Sequence, residues 1–557
     1  MLGPKFWGTK FCRTKFSRTM PKVLLVALSA GLLGGMLAQA QTFKVLVDAG
    51  ATGSTTNPNS QFVTQGRTGE MYFTANSGAF FEISSTGVLK VVDDIPNYPS
   101  SGATLGSDGN YYLTDLNGGP GGDCGFSGCG QILKVSSAGV QTVLYSFTGE
   151  GDGSDPTAAP IEATNGLFYG TAQSDGGVNE GTAYSITSKG AFTVLHSFDA
   201  DTEGYQINAA LVEGTDGNFY GQTVYGGANG DGTIFKMTPT GTVTVLHTFG
   251  GADGAHGAYA LVQASDGNFY GVAQGGANGS GVVYKITSGG TYTVLYNFPP
   301  GDGYEPGSTL TIGSDGKLYG VTSAGGGGEY GSLYNITTAG TFKTLYTFCA
   351  SGTCTDGSGP NTQLQQNTDG VFYGATNNGG DMSCGNGIGC GVVYSLNMGL
   401  APFAKLVSKA GKENSLAGIL GQGFSKSSVV KFGGVEATKI ALTGTTFINA
   451  TVPAGALTGA VTITTGTTTL TAQQNFNVLP TATTFTPSKG PVDTLVTITG
   501  TGLEQTTGVT FNGASATFTV VSDTEVTATV PTGATTGTIA VTTKGGSVTT
   551  TKKFTVD

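Results

Sequence analysis

Arginine, histidine and tryptophan are almost missing from this sequence, and charge of either sign is thin. Only 11% of the 557 residues are charged. A single arginine, Arg67, lies beyond residue 40, and the one tryptophan, Trp7, lies before it. A phosphate-binding surface needs clustered Arg and Lys, so nucleic acid is excluded as a partner. There are three histidines. Neither H-E-x-x-H nor G-x-S-x-G occurs, which leaves no metalloprotease or serine-hydrolase signature. Beyond residue 40 no apolar run is long enough to span a ~30 Å hydrocarbon core as a helix. The 95 glycines follow no G-X-Y period, and aromatics reach 10%. Neither a collagen nor a disordered chain has that profile.

Residues 1–40 read as a leader. Lys5, Lys10, Arg13, Lys15, Arg18 and Lys22 lie here without one Asp or Glu. An apolar stretch from Val23 to Leu37 follows, then Ala38-Gln39-Ala40, a small-x-small site. This is a signal-peptide pattern, with cleavage expected before Gln41 and Met20 a second candidate start. Without those six basic residues, 19 basic face 36 acidic residues, a net charge of −17.

Cys12 belongs to the leader. Six cysteines remain, as Cys124/Cys129, Cys349/Cys354 and Cys384/Cys390. Zinc sites favour C-x2-4-C spacing, often with His. These spacings are x4, x4 and x5 with no His near. Three short disulfide loops in an oxidising compartment are the expectation.

One pattern recurs through residues 41–399. It reads D-G-N-F-Y-G, a Gly-rich loop, G-T-x-[FY]-x-[IM], a turn, then T-V-L-[HY]-x-F. The hexapeptide stands at Asp216–Gly221 and Asp266–Gly271, with variants at Asp108–Leu113, Asn165–Gly170, Asp315–Gly320 and Asp369–Gly374 and a degenerate copy at Thr68–Phe73. Its second aromatic is Tyr in all seven: Tyr72, Tyr112, Tyr169, Tyr220, Tyr270, Tyr319 and Tyr373. Each copy spells four strands, a to d, with hairpin chemistry at a–b and c–d. In the fourth these are Ala210–Gly214, Phe219–Thr223, Thr233–Met237 and Thr242–Phe249. Four antiparallel strands per repeat make a propeller blade, so a seven-bladed β-propeller is expected.

The seventh copy lacks strand d. Thr-Phe-Lys-Val-Leu-Val at 42–47 matches strand d of the sixth copy, Thr341-Phe-Lys-Thr-Leu-Tyr346. The strand at 42–48 should therefore pair with 392–397 and close the ring, leaving no open edge. The repeat resembles the GloVer tandem repeats of bacterial choice-of-anchor secreted proteins. That resemblance implies a secreted propeller and no particular activity.

From about Leu400 the hexapeptide vanishes and two segments align with each other. Gly421-Gln-Gly-Phe424 matches Gly500-Thr-Gly-Leu503, Ala450-Thr-Val-Pro453 matches Ala528-Thr-Val-Pro531, and Phe476-Asn-Val478 matches Phe554-Thr-Val556. Units of about 80 residues with short alternating strands suggest β-sandwiches. They resemble IPT/TIG domains, so two immunoglobulin-like domains are expected at 400–478 and 479–557.

In an antiparallel blade the a–b and c–d turns share one face of the disc, and the b–c and d–a loops share the other. Variable loops on a rigid scaffold carry binding, so candidates are sought on the second face. It holds all three Cys pairs and many acids, with no Lys or Arg among those loops. Glu150, Asp152 and Asp155 are the densest acids and the candidate Ca²⁺ ligands, although soluble Asp-Gly turns explain them as well and no complete EF-type loop occurs. Asp201, Glu203, Tyr205, Asp253, His256, Tyr259, Asp302, Tyr304, Glu305 and Tyr330 are the candidate ligand-binding residues, since rings beside carboxylates suit sugars; loop packing is the plainer account of each. His196 and His247 stand in the strand-d slot that holds Tyr145, Tyr296 and Tyr346 elsewhere, which makes them structural. The repeated Asp108, Asp216, Asp266, Asp315 and Asp369 read as turn residues. The expected function is a secreted or cell-surface binding or adhesion protein for an extracellular polysaccharide or surface protein, with no required cofactor. The alternative is a polysaccharide hydrolase or lyase using loop-face carboxylates.

Overall fold

Short strands separated by tight turns can bury apolar surface only by stacking sheet on sheet, and this chain does so throughout. The computed structural model describes residues 41–49, 64–75, 78–95, 101–119, 124, 128–174, 180–299, 304–325, 330–384 and 387–557. Every regular element among them is a strand. No helix among the described residues is long and apolar enough to cross a membrane.

The repeat region folds into seven antiparallel sheets, each from one copy of the pattern. In the fourth sheet the strands are Val212–Glu213, Phe219–Gln222, Thr233–Met237 and Val243–Thr248, paired in chain order. The innermost strand is two residues rather than the five expected, because Ala209 and Ala210 leave the ladder to pack on Ala158 and Ala260 of the neighbouring sheets. The seventh sheet takes its outer strand from the other end of the region: Thr42–Asp48 pairs antiparallel with Val392–Asn397, with Thr42 opposite Asn397.

Seven apolar clusters join the sheets pairwise. Met71, Phe73 and Phe81 of the first sheet meet Tyr373 and Val393 of the seventh, and six further clusters bridge the successive pairs. Seven sheets joined by seven such clusters form a closed β-propeller.

The repeat consensus has a physical reading. The carboxylate of the hexapeptide Asp accepts the backbone N–H two residues on, an Asx turn, and the hydroxyl of the Tyr four residues on. Asp216 bonds Asn218 N at 3.2 Å and Tyr220 Oη at 2.8 Å, and Asp108 and Asp266 do the same. The closing Gly faces an aromatic across the b–c ladder: Gly170 opposite Tyr184, Gly271 opposite Tyr284, Gly320 opposite Tyr334. A Cβ at these glycines would overlap the ring. The Leu of T-V-L-[HY] is a β-bulge. Residues Tyr145 and Val143 pair with Ile132 and Leu133, so Leu144 is left over; Leu195, Leu246, Leu295 and Leu345 sit likewise. The closing strand repeats the bulge at Leu46, so it is a true strand d.

The c-strand tyrosines Tyr184, Tyr334 and Tyr394 are buried with no partner for the hydroxyl, whereas Tyr284 donates to Gln222 Oε1 at 2.7 Å. The fourth sheet has Phe235 in this slot. A buried hydroxyl without a partner costs about 1–3 kcal/mol. Tyr334→Phe should therefore raise the unfolding free energy measured in urea by up to about 1 kcal/mol. Tyr284→Phe should lower it by about 1 kcal/mol by orphaning Gln222.

Two sandwiches follow, with one strand order. In the first, Lys405–Leu406, Leu416–Leu420, Phe447–Thr451 and Ile440–Thr443 make one sheet. In the second, Thr481–Thr486, Leu495–Thr501, Glu525–Thr529 and Phe518–Ser522 repeat it. Each core is closed by an edge-on phenylalanine pair at equivalent places, Phe432/Phe476 at 4.9 Å and Phe511/Phe554 at 5.3 Å.

Candidate functional site

Many loop-face carboxylates are committed to their own loops. Asp152 accepts from Tyr145 Oη at 2.7 Å and from the Thr148 hydroxyl and Gly149 N–H. Glu203 meets His196 Nε2 at 2.7 Å, Asp253 meets His247 Nε2 at 3.0 Å, and Asp356 accepts from Tyr346 Oη at 2.7 Å. The four acids clip the d–a loop back onto the same strand-d slot in four sheets. The His/Tyr alternation there is thus a choice between two donors to one carboxylate. Burial lowers the His247 pKa, while Asp253 pulls it back up.

The candidate Ca²⁺ residues do not gather. Asp152 is the clip above, Glu150 is exposed, and Asp155 accepts from Ser154 Oγ at 3.2 Å. Among the described residues no three His, Cys, Asp or Glu side chains stand together as a metal site. Asp302 lies outside the described residues. Tyr304 pairs through its backbone with Ala324. Asp201 is exposed. His256 does not face Asp253; its Nδ1 lies 3.0 Å from the Val224 carbonyl oxygen.

What the loop face does bring together is aromatic. Tyr205 and Tyr225 form an antiparallel bridge, with rings 5.6 Å apart, and the His256 ring lies 4.8 Å from Tyr225. Tyr225 is 37% exposed and Tyr330 44%. Tyr259 is half-buried, and its hydroxyl pKa is pushed up to about 12 by burial and by the Glu305 charge. Tyr225, like Tyr205, reads from the sequence as a loop-face tyrosine; that the two meet was not legible, because they lie 20 residues apart in different loops and the bridge joins them.

The frame under these rings is stiff. All three cysteine pairs are bonded, Cys124–Cys129, Cys349–Cys354 and Cys384–Cys390. Successive sheets are also clasped through their loops: Asp155 N donates to Cys129 O, His256 N to Asp231 O, Glu305 N to Ser280 O and Gly359 N to Tyr330 O. Asp155, His256 and Glu305 take left-handed φ of 51–59° to do so, a conformation costly for a non-glycine residue. Gly359 meets the same demand without the cost.

The opposite face is covered in part, and the a–b turns at Asp216, Asp266 and Asp315 stay exposed. The first sandwich lies on the a–b turns of the first and seventh sheets. Arg67, the lone arginine beyond residue 40, sets its guanidinium 4.5 Å over the Phe447 ring and donates to Ser107 O at 3.1 Å. Thr446 Oγ1 donates to Arg67 O at 2.8 Å, and Thr368 Oγ1 to Gly421 O at 3.1 Å.

Comparison with known proteins agrees with this anatomy. The family model for the Gloeobacter/Verrucomicrobia repeat matches residues 98–312 and 273–422, and the IPT/TIG domain model matches 480–556. No curated protein matches the chain. Similar solved structures include the WD40 β-propeller domain of Doa1, at 12% identity over 64% of this chain and 97% of that one, TM-score 0.42. A gluconolactonase of Xanthomonas campestris matches at 10% identity over 65% and 90%, TM-score 0.33. A chain described as the extracellular domain of a hybrid two-component system of B. thetaiotaomicron matches at 10% identity over 91% of this chain, TM-score 0.44; this chain spans 57% of that one.

Proposed function

This chain belongs to the Gloeobacter/Verrucomicrobia repeat family, and we propose that it works outside the cell as a non-catalytic binding protein. The loop face is its binding surface, and an extracellular polysaccharide or surface protein is its ligand. The observation that carries this reading is the Tyr205–Tyr225–His256 ring group. It stands partly exposed on loops held by the Glu203 and Asp253 clips and by the His256–Asp231 clasp, on the face away from the sandwich. Rigid aromatic faces bind flat sugar rings at small entropic cost. Disulfides and the small-x-small leader pattern support export. The runner-up, a polysaccharide hydrolase or lyase, needs two carboxylates free to handle protons, and Glu203, Asp253 and Asp356 are already bonded within their own loops.

Retention of the protein on immobilised extracellular polysaccharides and on whole cells tests the proposal. Tyr225→Ala should weaken retention about tenfold or more with the unfolding midpoint unchanged. Equal retention of Tyr225→Ala and wild type, or no retention on any surface, would overturn it.

A further inference from the structure

The first sandwich does more than cover turns: it lies over the inner strands and bounds a half-open cavity of about 220 Å³. Inner-strand residues of four sheets form the floor, among them Thr64, Thr104, Ile161, Glu162 and Gln365, and Lys405 and Lys409 line the sandwich side. None of the ion pairs among the described residues includes either lysine. Glu162, the one carboxylate in the lining, is already taken by the Ser107 N–H at 2.6 Å and hydroxyl at 2.5 Å. The Lys409 charge partly offsets the burial that raises the Glu162 pKa, so Lys405 is the lysine left without a counter-charge, and a desolvated ammonium in that state is expensive.

A second cavity of about 370 Å³ shares Glu162, Val407 and Lys409 with the first, and continues between the turns of the second and third sheets and the sandwich, past Thr164, Asn165 and Lys412. The two adjoin along these shared residues, with Lys405 in the inner one, Lys409 between them and Lys412 in the outer one. At about 220 Å³ the inner chamber is below the ~300–1,000 Å³ of drug-sized pockets, which suits a single small ring. Its amides and hydroxyls alternate with Leu105, Ile161 and Leu420, a lining for a molecule with hydroxyl edges and an apolar face.

We propose that this junction is a second binding site, independent of the loop face, that takes the terminal carboxylate-bearing sugar of an acidic polysaccharide, with the carboxylate on Lys405 and Lys409 and the rest of the chain leaving by the outer groove. Burial and the neighbouring Lys409 bring the Lys405 amine down to about 8. Lys409 and Glu162 are the other titratable groups lining the chamber. Lys405 is therefore charged at neutral pH and loses its charge within reach of mild alkali, and carboxylate binding should weaken as pH rises through about 8.

Calorimetric titration of the full chain with galacturonate, galactose and inorganic phosphate tests this. Galacturonate should bind at pH 7, at least tenfold more tightly than galactose or phosphate, and at least tenfold less tightly at pH 9.5. Lys405→Met and Lys409→Met should each weaken it tenfold or more, Lys405→Arg should retain it, and Tyr225→Ala should leave it unchanged. Lys405→Met removes an unpaired charge and should fold at least as well as wild type, which thermal unfolding verifies. The proposal is overturned if galacturonate does not bind, if both Met variants bind it like wild type, or if phosphate or galactose binds equally well. Loss of binding in Tyr225→Ala alone would move the sugar to the loop face and would likewise overturn it.

Discussion

Removing residues 41–49 should abolish the cooperative thermal transition of the propeller, a larger effect than any single substitution in its core. The strand Thr42–Asp48 supplies the whole outer edge of the seventh sheet. Phe43 stacks on Tyr346 at 3.9 Å with nearly parallel rings, and stands 5.3 Å from Tyr394. Val47 is buried in the cluster that joins the seventh sheet to the first, and Gln41 Nε2 donates to Leu345 O at 2.6 Å. Fully burying one such side chain stabilises by about 1.5–3 kcal/mol. Phe43, Val45, Leu46 and Val47, most of them half-buried, together contribute on the order of 5 kcal/mol by that scale. A domain's entire net stability is about 5–15 kcal/mol, and deletion also bares the Val392–Asn397 edge to aggregation. Differential scanning calorimetry beside size-exclusion chromatography reads both effects. Lys44→Ala, at an exposed position of the same strand, is the control and should shift stability by no more than about 0.5 kcal/mol. An intact transition in the deletion variant would show that the ring does not depend on this strand.

Asp115→Asn should stabilise the protein above pH 7 and flatten its pH dependence below that. Asp115 is 1% exposed at the end of the second sheet's b strand. Burial pushes its carboxyl up to about 7, opposed only by the Asn117 N–H. Below the unfolded value of 3.8 both states are protonated and the group is neutral to stability. Between 3.8 and 7 the unfolded chain loses its proton while the folded one keeps it, so stability falls as pH rises, and above 7 the loss is complete. At 1.36 kcal/mol per unit, this shift corresponds to about 4 kcal/mol at most. Asn keeps the acceptor for Asn117 and carries no charge. Its unfolding midpoint should exceed that of wild type at pH 8 and converge with it near pH 4. Parallel midpoints across that range would refute the assignment.

The propeller was legible because its signals are local. D-G-N-F-Y-G contains an Asx turn and its own Tyr–Asp bond within five residues, and T-V-L-[HY] contains a bulge. The match between 42–47 and 341–346 pointed to the closing pair because one strand type recurs. The loop acids were legible as a cluster but not in their role: whether Glu203 faces solvent or turns back to His196 depends on how the d–a loop folds, which composition does not encode. Arg67 stood out as a solitary residue, yet its partner Phe447 lies in another domain.

By itself the sequence determined the all-β class, the recurring four-stranded unit and the paired sandwiches, since these follow from side-chain alternation and turn chemistry over a few residues. Only the tertiary structure decided which face of the disc the sandwich covers in part, which acids are spent as clips, and that Lys405 lies without a counter-charge beside a half-open cavity. Those outcomes rest on contacts between residues as far apart as Thr446 and Arg67, 379 positions, where docked surfaces rather than local periodicity choose the neighbours.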